Sequence, residues 1–197
     1  MRGDKSTYEY SRIRLLAASL AEAGICAETA ARILEEGDKI RRSATPESKA
    51  EWMAEAMRRM DTLLDEPTRR AVRERCACSL GGKRLQMSRS IARDHESLEE
   101  RISAANDARF VFGHSVSLTE NGEVLVCFAP EGQPQYRCVC LPKAKEPIST
   151  TYCYCCGGHV KHHLQTALGR KVDVTVRSSA LASGGTQPCS FLFRFIG

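Results

Sequence analysis

No stretch of the chain approaches the roughly 18 uninterrupted apolar residues of a membrane-spanning helix. Its opening run, MRGDKSTYEYSRIRLL, lacks the apolar core and small-residue cleavage site of a secretory signal. A cytoplasmic protein with no membrane partner is therefore expected. Aromatic residues are scarce, at 6% with a single Trp. The densest basic stretch, Arg58 to Arg93 (with Arg69, Arg70, Arg73, Arg75, Lys83 and Arg84), accordingly lacks the interleaved rings on which single-stranded nucleic acid stacks. Charge of one sign is not in excess either, because the net +5 comes from interleaved acids and bases. Nucleic acid is not an expected partner; the charges read as solvated helix faces, and an anion pocket formed by a few of these arginines is favoured over nucleic-acid binding. Leu80-Gly81-Gly82-Lys83-Arg84 has neither the spacing nor the preceding strand of a phosphate loop and reads as a helix stop. Ser178, Ser179 and Ser183 lack a Gly-x-Ser-x-Gly elbow, and no paired carboxylates stand out.

What the chain does have is ten cysteines. A chain of this length can bury a core without disulfides, and in a reducing compartment closely spaced thiols point to metal or redox chemistry. Cysteine is nearly absent from the first half, where apolar residues recur at three and four. Tyr10, Ile13, Leu16, Ala17 and Leu20 make one helix stripe ending near Gly24. Ala27, Ala30, Ala31 and Leu34 make a second, ending at Gly37. Thr45-Pro46 supplies an N-cap and first residue for a third helix, whose stripe of Trp52, Met53, Ala56, Met57, Met60, Leu63 and Leu64 reads as core. Asp65 opens a fourth helix, with Val72 and Cys76 inward, which Gly81-Gly82 should stop just after Cys78. A fifth is expected from about Ser88 to Ala105.

The period then changes. Arg109 to Ala129 is rich in β-formers around Glu120-Asn121-Gly122-Glu123, which predicts an antiparallel hairpin. A short strand over Tyr136 to Leu141 follows, then a helix from Gly157 to Leu168 capped by Gly169. Val172, Val174 and Val176, and Phe191, Phe193 and Phe195, alternate in two closing strands. The expected fold is α+β: a helical region over 1–107, then a largely antiparallel sheet with a covering helix and the cysteine cluster over 108–197, in one compact domain.

Seven of the ten cysteines fall in the groups Cys76-x-Cys78, Cys138-x-Cys140 and Cys153-x-Cys155-Cys156, apart from the isolated Cys26, Cys127 and Cys189. In extended chain, residues i and i+2 share a face, so Cys138, Cys140, Cys153 and Cys155 could present four sulfurs together. Four thiolates at about 2.3 Å suit tetrahedral zinc, and soft sulfur also suits an iron–sulfur cluster. Cys156, His159 and one of His162 and His163 would share a helix face with Cys155 and could add ligands or line a pocket. The same residues could be packed thiols and a wet helix face, and vicinal Cys155-Cys156 at a helix start could serve redox chemistry instead.

The run Tyr-Cys-Tyr-Cys-Cys-Gly-Gly-His-Val-Lys-His-His from Tyr152, then Ala-Leu-Gly-Arg-Lys-Val, then Gly-Gly-Thr-Gln-Pro-Cys189-Ser-Phe-Leu-Phe, resembles the C-terminal half of 4-vinyl-reductase-like ligand-binding domains. It is similar also to L-2-amino-thiazoline-4-carboxylate hydrolase-like proteins, especially cysteine-rich bacterial members. The likeness covers about fifty residues and, more loosely, the region of Cys76, Cys78 and Gly81-Gly82. It implies an α+β small-molecule-binding fold with a cysteine-bound metal in some members, and by position it nominates Cys138, Cys140, Cys153, Cys155 and Cys189. A shared fold does not carry a reaction with it.

The expected function is a zinc-binding domain that takes a small organic ligand. A metal-dependent hydrolase of a small C–N bond and an iron–sulfur or thiol redox protein are the alternatives, and a homodimer is left open.

Overall fold

Capping chemistry and apolar periodicity together build the helical half, as seen in the computed structural model, which describes residues 7–130, 132–133 and 135–197. Helix α1 (Ser11–Glu22) buries Ile13, Leu16 and Leu20, and α2 (Ala27–Ile33) follows the turn at Gly24. Helix α3 (Pro46–Leu63) starts where Thr45 Oγ1 accepts the Ser48 N–H at 3.1 Å, and its Trp52, Met53, Ala56, Met57 and Met60 are core. Helix α4 (Glu66–Arg75) starts under Asp65, whose carboxylate accepts the Thr68 N–H at 2.8 Å.

Three expected boundaries are corrected. Helix α4 ends at Arg75, not at the glycine pair. The chain turns away through Ser79, which has a positive φ of 59°, and Gly81 and Gly82 instead open α5 (Gly82–Asp94). The single helix expected from Ser88 to Ala105 is two, α5 and α6 (Leu98–Asp107). Ser97 and Glu100 form a capping box, in which Ser97 Oγ accepts the Glu100 N–H at 3.2 Å and the Glu100 carboxylate accepts the Ser97 N–H at 3.1 Å. Such a box satisfies free N–H groups at a new helix start, so local chemistry overrides a stripe that runs through it. Arg109 to Phe112 forms one helical turn, α7, before the hairpin begins.

That hairpin pairs β1 (Ser115–Leu118) with β2 (Val124–Cys127) around Gly122, and β3 (Val172–Ser178) and β4 (Ser190–Phe195) complete an antiparallel sheet in the order β1-β2-β4-β3. The fold is therefore α+β. Tyr136 to Leu141, expected as a strand, is a loop. Its Tyr136 N–H bonds the Gly185 carbonyl at 2.9 Å, and Gln135 before it has a positive φ, so the segment is tied to a turn and not to a sheet edge.

Helix α8 (Tyr154–Leu168) covers the sheet and packs against α4, α5 and β3. It starts three residues earlier than expected, so Cys155 and Cys156 lie in its first turn. Its two early glycines permit the fit, because a Cβ on Gly158 would stand 2.4 Å from the Glu74 carbonyl oxygen of α4, and one on Gly157 would stand 3.1 Å from Val174 of β3. Buried apolar residues from Ile13 to Phe193 form one continuous core.

Candidate functional site

The Ser149 hydroxyl accepts the Thr151 N–H at 3.2 Å and starts a short 3-10 turn, Thr150–Cys153, that leads straight into α8. Cys153, Cys155 and Cys156 are thereby delivered to the positive end of a four-turn helix, where thiolates are favoured over thiols. The loop carrying Cys138 and Cys140 lies against that end, and the Sγ atoms of Cys140 and Cys156 are 4.0 Å apart.

The sulfurs sort into two hydrogen-bonded sets. In the first, the Cys138 and Cys156 thiols donate to Cys140, which holds Cys140 far below the usual thiol range, with the charges of Arg12 and Arg73 adding to the effect. Cys156 also hydrogen-bonds Cys155, and Cys155 too is held low. The two donors move the other way: Cys138 is pushed up by its bond to Cys140 and by burial, and Cys156 by its bonds to Cys140 and Cys155. In the second set, buried Cys153 pairs with Cys189 and lies 3.0 Å from Ser179 Oγ, while Cys189 Sγ accepts the Ala180 N–H at 3.4 Å.

Two guanidiniums face these sulfurs. Arg73 of α4 is 3% exposed, donates to the Tyr152 carbonyl at 3.2 Å, stacks 4.8 Å over the Tyr152 ring, and has a buried Nε with no hydrogen-bond partner. Burial opposes its charge, but the sulfurs of Cys76 and Cys155 more than offset that and raise its pKa. Arg12 of α1 donates to the Cys140 carbonyl at 2.6 Å and the Tyr152 hydroxyl at 2.9 Å. Among the described residues, neither arginine is ion-paired to a carboxylate. A buried cation without an anion is costly, so the negative charge must come from sulfur or from something bound beside it.

The first set opens into a cleft of about 270 Å³. Cys140, Cys155 and Cys156 line it together with Phe110, Phe112, Phe128 and Tyr136, with Arg84 and Arg109, and with Cys78 and His159. Burial pushes the Tyr136 hydroxyl up to about 12, helped by the nearby thiols, so it stays neutral.

The remaining candidates are placed elsewhere. Cys76 is a packing thiol that donates to Ser19 Oγ and the Val72 carbonyl, both at 3.4 Å. His159 has Nδ1 2.7 Å from the Cys78 carbonyl oxygen and Nε2 3.2 Å from that of Val111, so neither nitrogen is directed at the thiols. His163 is fully buried between Ser88 Oγ, 3.0 Å from Nδ1, and the Ser79 carbonyl oxygen, 3.1 Å from Nε2, and His162 meets it edge-on.

The ligand set expected from spacing is therefore divided: Cys138, Cys140 and Cys155 belong to the first set with Cys156, and Cys153 belongs to the second with Cys189. Among the described residues, no group of three or more His, Cys, Asp or Glu side chains is arranged to hold a metal ion as it stands. Arg12 and the aromatic walls carried no sequence signal of their own. Arg73 and Arg84 lay within the stretch read as a source of an anion pocket.

A family model described as a family of unknown function (DUF6144) matches residues 18–191, which include every residue of both thiol sets. No curated protein matches the chain.

Proposed function

The chain belongs to the DUF6144 family, and from that premise we propose that it is a thiol–disulfide exchange protein acting on a small organic disulfide. Cys140 is the attacking sulfur and Cys156 the resolving one. One observation carries this reading: two guanidiniums without carboxylate partners among the described residues, Arg12 and Arg73, face sulfurs that open into a cleft. Reactive cysteines sit in electropositive, partly exposed surroundings of this kind, whereas structural cysteines are buried and inert.

The chemistry balances within the site. The Cys140 thiolate attacks one sulfur of the bound disulfide, that S–S bond breaks, and the first half leaves as a thiolate. Cys156, losing its proton to solvent, then attacks Cys140 Sγ across a gap of 4.0 Å. This releases the second half as a thiolate and leaves a Cys140–Cys156 disulfide, for which the sulfurs must close to about 2.0 Å. A dithiol reductant restores the pair. The reading requires a reducing compartment, and we place the protein in the cytoplasm.

Anaerobically purified protein given one equivalent of a small disulfide should release two thiols and yield a Cys140–Cys156 disulfide in the peptide map. Cys156→Ser should stop at a mixed disulfide on Cys140 after releasing one thiol. Recovery of both cysteines unmodified would overturn the proposal. Arg73→Met should slow the first step roughly tenfold by removing a neighbouring cation, and Arg73→Lys should recover part of that loss.

A second reading is favoured by the 4.0 Å separation, which is close to the ~3.8 Å edge of a tetrahedron of sulfurs at about 2.3 Å from zinc. Cys138, Cys140, Cys155 and Cys156 would hold the metal, the other side chains turning inward to close the shell. Arg12 and Arg73 would balance the two negative charges of such a centre. About one zinc per chain, lost in Cys138→Ser, would decide for this reading; metal-free protein with reactive thiols would decide against it.

A further inference from the structure

The walls of the cleft restrict what the thiols can meet. Four aromatic side chains, Phe110, Phe112, Phe128 and Tyr136, enclose it, and two residues of its rim are exposed apolar side chains, Phe110 at 52% and Val139 at 72%. Phe128 is held in place by its ring contact with Phe191 of the sheet, 5.2 Å between centroids. Among the described residues, the charged members of the lining are both arginines. Arg84 is fixed at the rim by a 3.0 Å bond from its Nε to the Phe110 carbonyl, and Arg109 is exposed beside it. Among the described residues no Asp or Glu lines the cleft, and neither arginine has a carboxylate partner. At about 270 Å³ the space lies just below the usual 300–1,000 Å³ range of small-molecule pockets. That volume suits one ring-bearing half of a small molecule.

We propose that the cleft selects small aromatic disulfides that carry carboxylates, the ring lying among Phe110, Phe112 and Phe128 and the carboxylate meeting Arg84 and Arg109 at the rim. This substrate class rests on the thiol-exchange reading of Cys140 and Cys156. Aromatic walls supply most of the binding by burial, and guanidiniums supply directional recognition of a planar carboxylate. Both features lie on the side of the cleft formed by α5, α7 and the residue after β2, whereas the sulfurs come from α8 and the Cys140 loop. A bound disulfide would therefore be held at one end while the other end is presented for attack.

Two disulfide probes of similar size test this. Dithiobis(nitrobenzoate) carries a carboxylate on each ring, and dithiodipyridine is uncharged at neutral pH. Each reacts by the step given above, the Cys140 thiolate displacing one aromatic thiolate, and modification of Cys140, as the mixed disulfide or as the Cys140–Cys156 disulfide that follows it, is tracked by peptide mass spectrometry so that exposed Cys26 and Cys78 do not confuse the count. In the Arg84→Gln/Arg109→Gln variant, the rate with the carboxylate probe should fall roughly fivefold or more, while the rate with the neutral probe stays within about twofold. High salt should shrink the wild type's preference in the same direction. Equal slowing with both probes, or no change with either, would overturn the assignment of these arginines while leaving the thiol reading intact. A wild-type Cys140 that reacts with neither probe would overturn the thiol reading, and this inference with it.

Discussion

A histidine with no exposed surface, His163, gives the stability of the fold a pH dependence. Burial pulls its pKa down from 6.5 to about 4. The neutral ring bridges Ser88 of α5 and the carbonyl of Ser79, a residue held at positive φ next to the cleft. The unfolded chain takes up the proton near pH 6.5 and the folded chain only near pH 4. Stability linked to this group is thus fully present above about pH 6.5 and is lost as pH falls through that window. The urea midpoint should drop more steeply between these pH values in the wild type than in His163→Gln, and parallel profiles would contradict this role. At this scale the sequence spoke unevenly. Spacing alone put Cys138, Cys140, Cys153 and Cys155 together, and the structure replaces Cys153 in that group with Cys156. Nothing in spacing marked Arg73, because one arginine in a basic helix looks like its solvated neighbours until tertiary packing buries it against Tyr152.

Among the elements, α8 does most to assemble the site, and its approach to α4 depends on a single missing side chain. A Cβ on Gly158 would stand 2.4 Å from backbone Glu74 O, an atom that cannot move without displacing α4 and Arg73 with it. Gly158→Ala should cost about 1–3 kcal/mol from overpacking, measured by chemical denaturation. It should also slow modification of Cys140, whereas alanine at Gly197, where a Cβ meets nothing within 4 Å and φ is not positive, should not. Unchanged stability in Gly158→Ala would refute the account of this contact. The far end of α8 is secured by Arg101, whose guanidinium bonds the Leu168 carbonyl at 2.9 Å, Ala92 at 3.0 Å and His95 at 3.0 Å, closing the C-termini of α5 and α8 together. Most elements were legible because caps and periodicity are local. The break between α5 and α6 was readable too, in Ser97-Leu98-Glu99-Glu100, but the apolar stripe ran across it and drew the helix through.

At the scale of the whole molecule, helices and sheet share one continuous core, with α8 packed against both. Unfolding should therefore be a single transition, with Trp52 fluorescence from the helical half and circular dichroism from all elements tracing the same denaturant curve. Separated curves would divide the chain near residue 107. No helix among the described residues is long and apolar enough to cross a membrane. The sequence by itself determined the α+β class, the antiparallel pairing of the last strands and the grouping of seven thiols into three short runs, because these depend on periodicity, turn residues and short spacings along the chain. Only the tertiary structure decided that the thiols divide into two sets, that Arg12 and Arg73 from distant helices supply their counter-charge, and that one set faces an aromatic cleft. Each of those depends on contacts between separate segments of the chain, from Cys140 and Cys156, 16 residues apart, to Arg12 and Tyr152, 140 apart, which the packing of α1, α4 and α8 sets and no local pattern encodes.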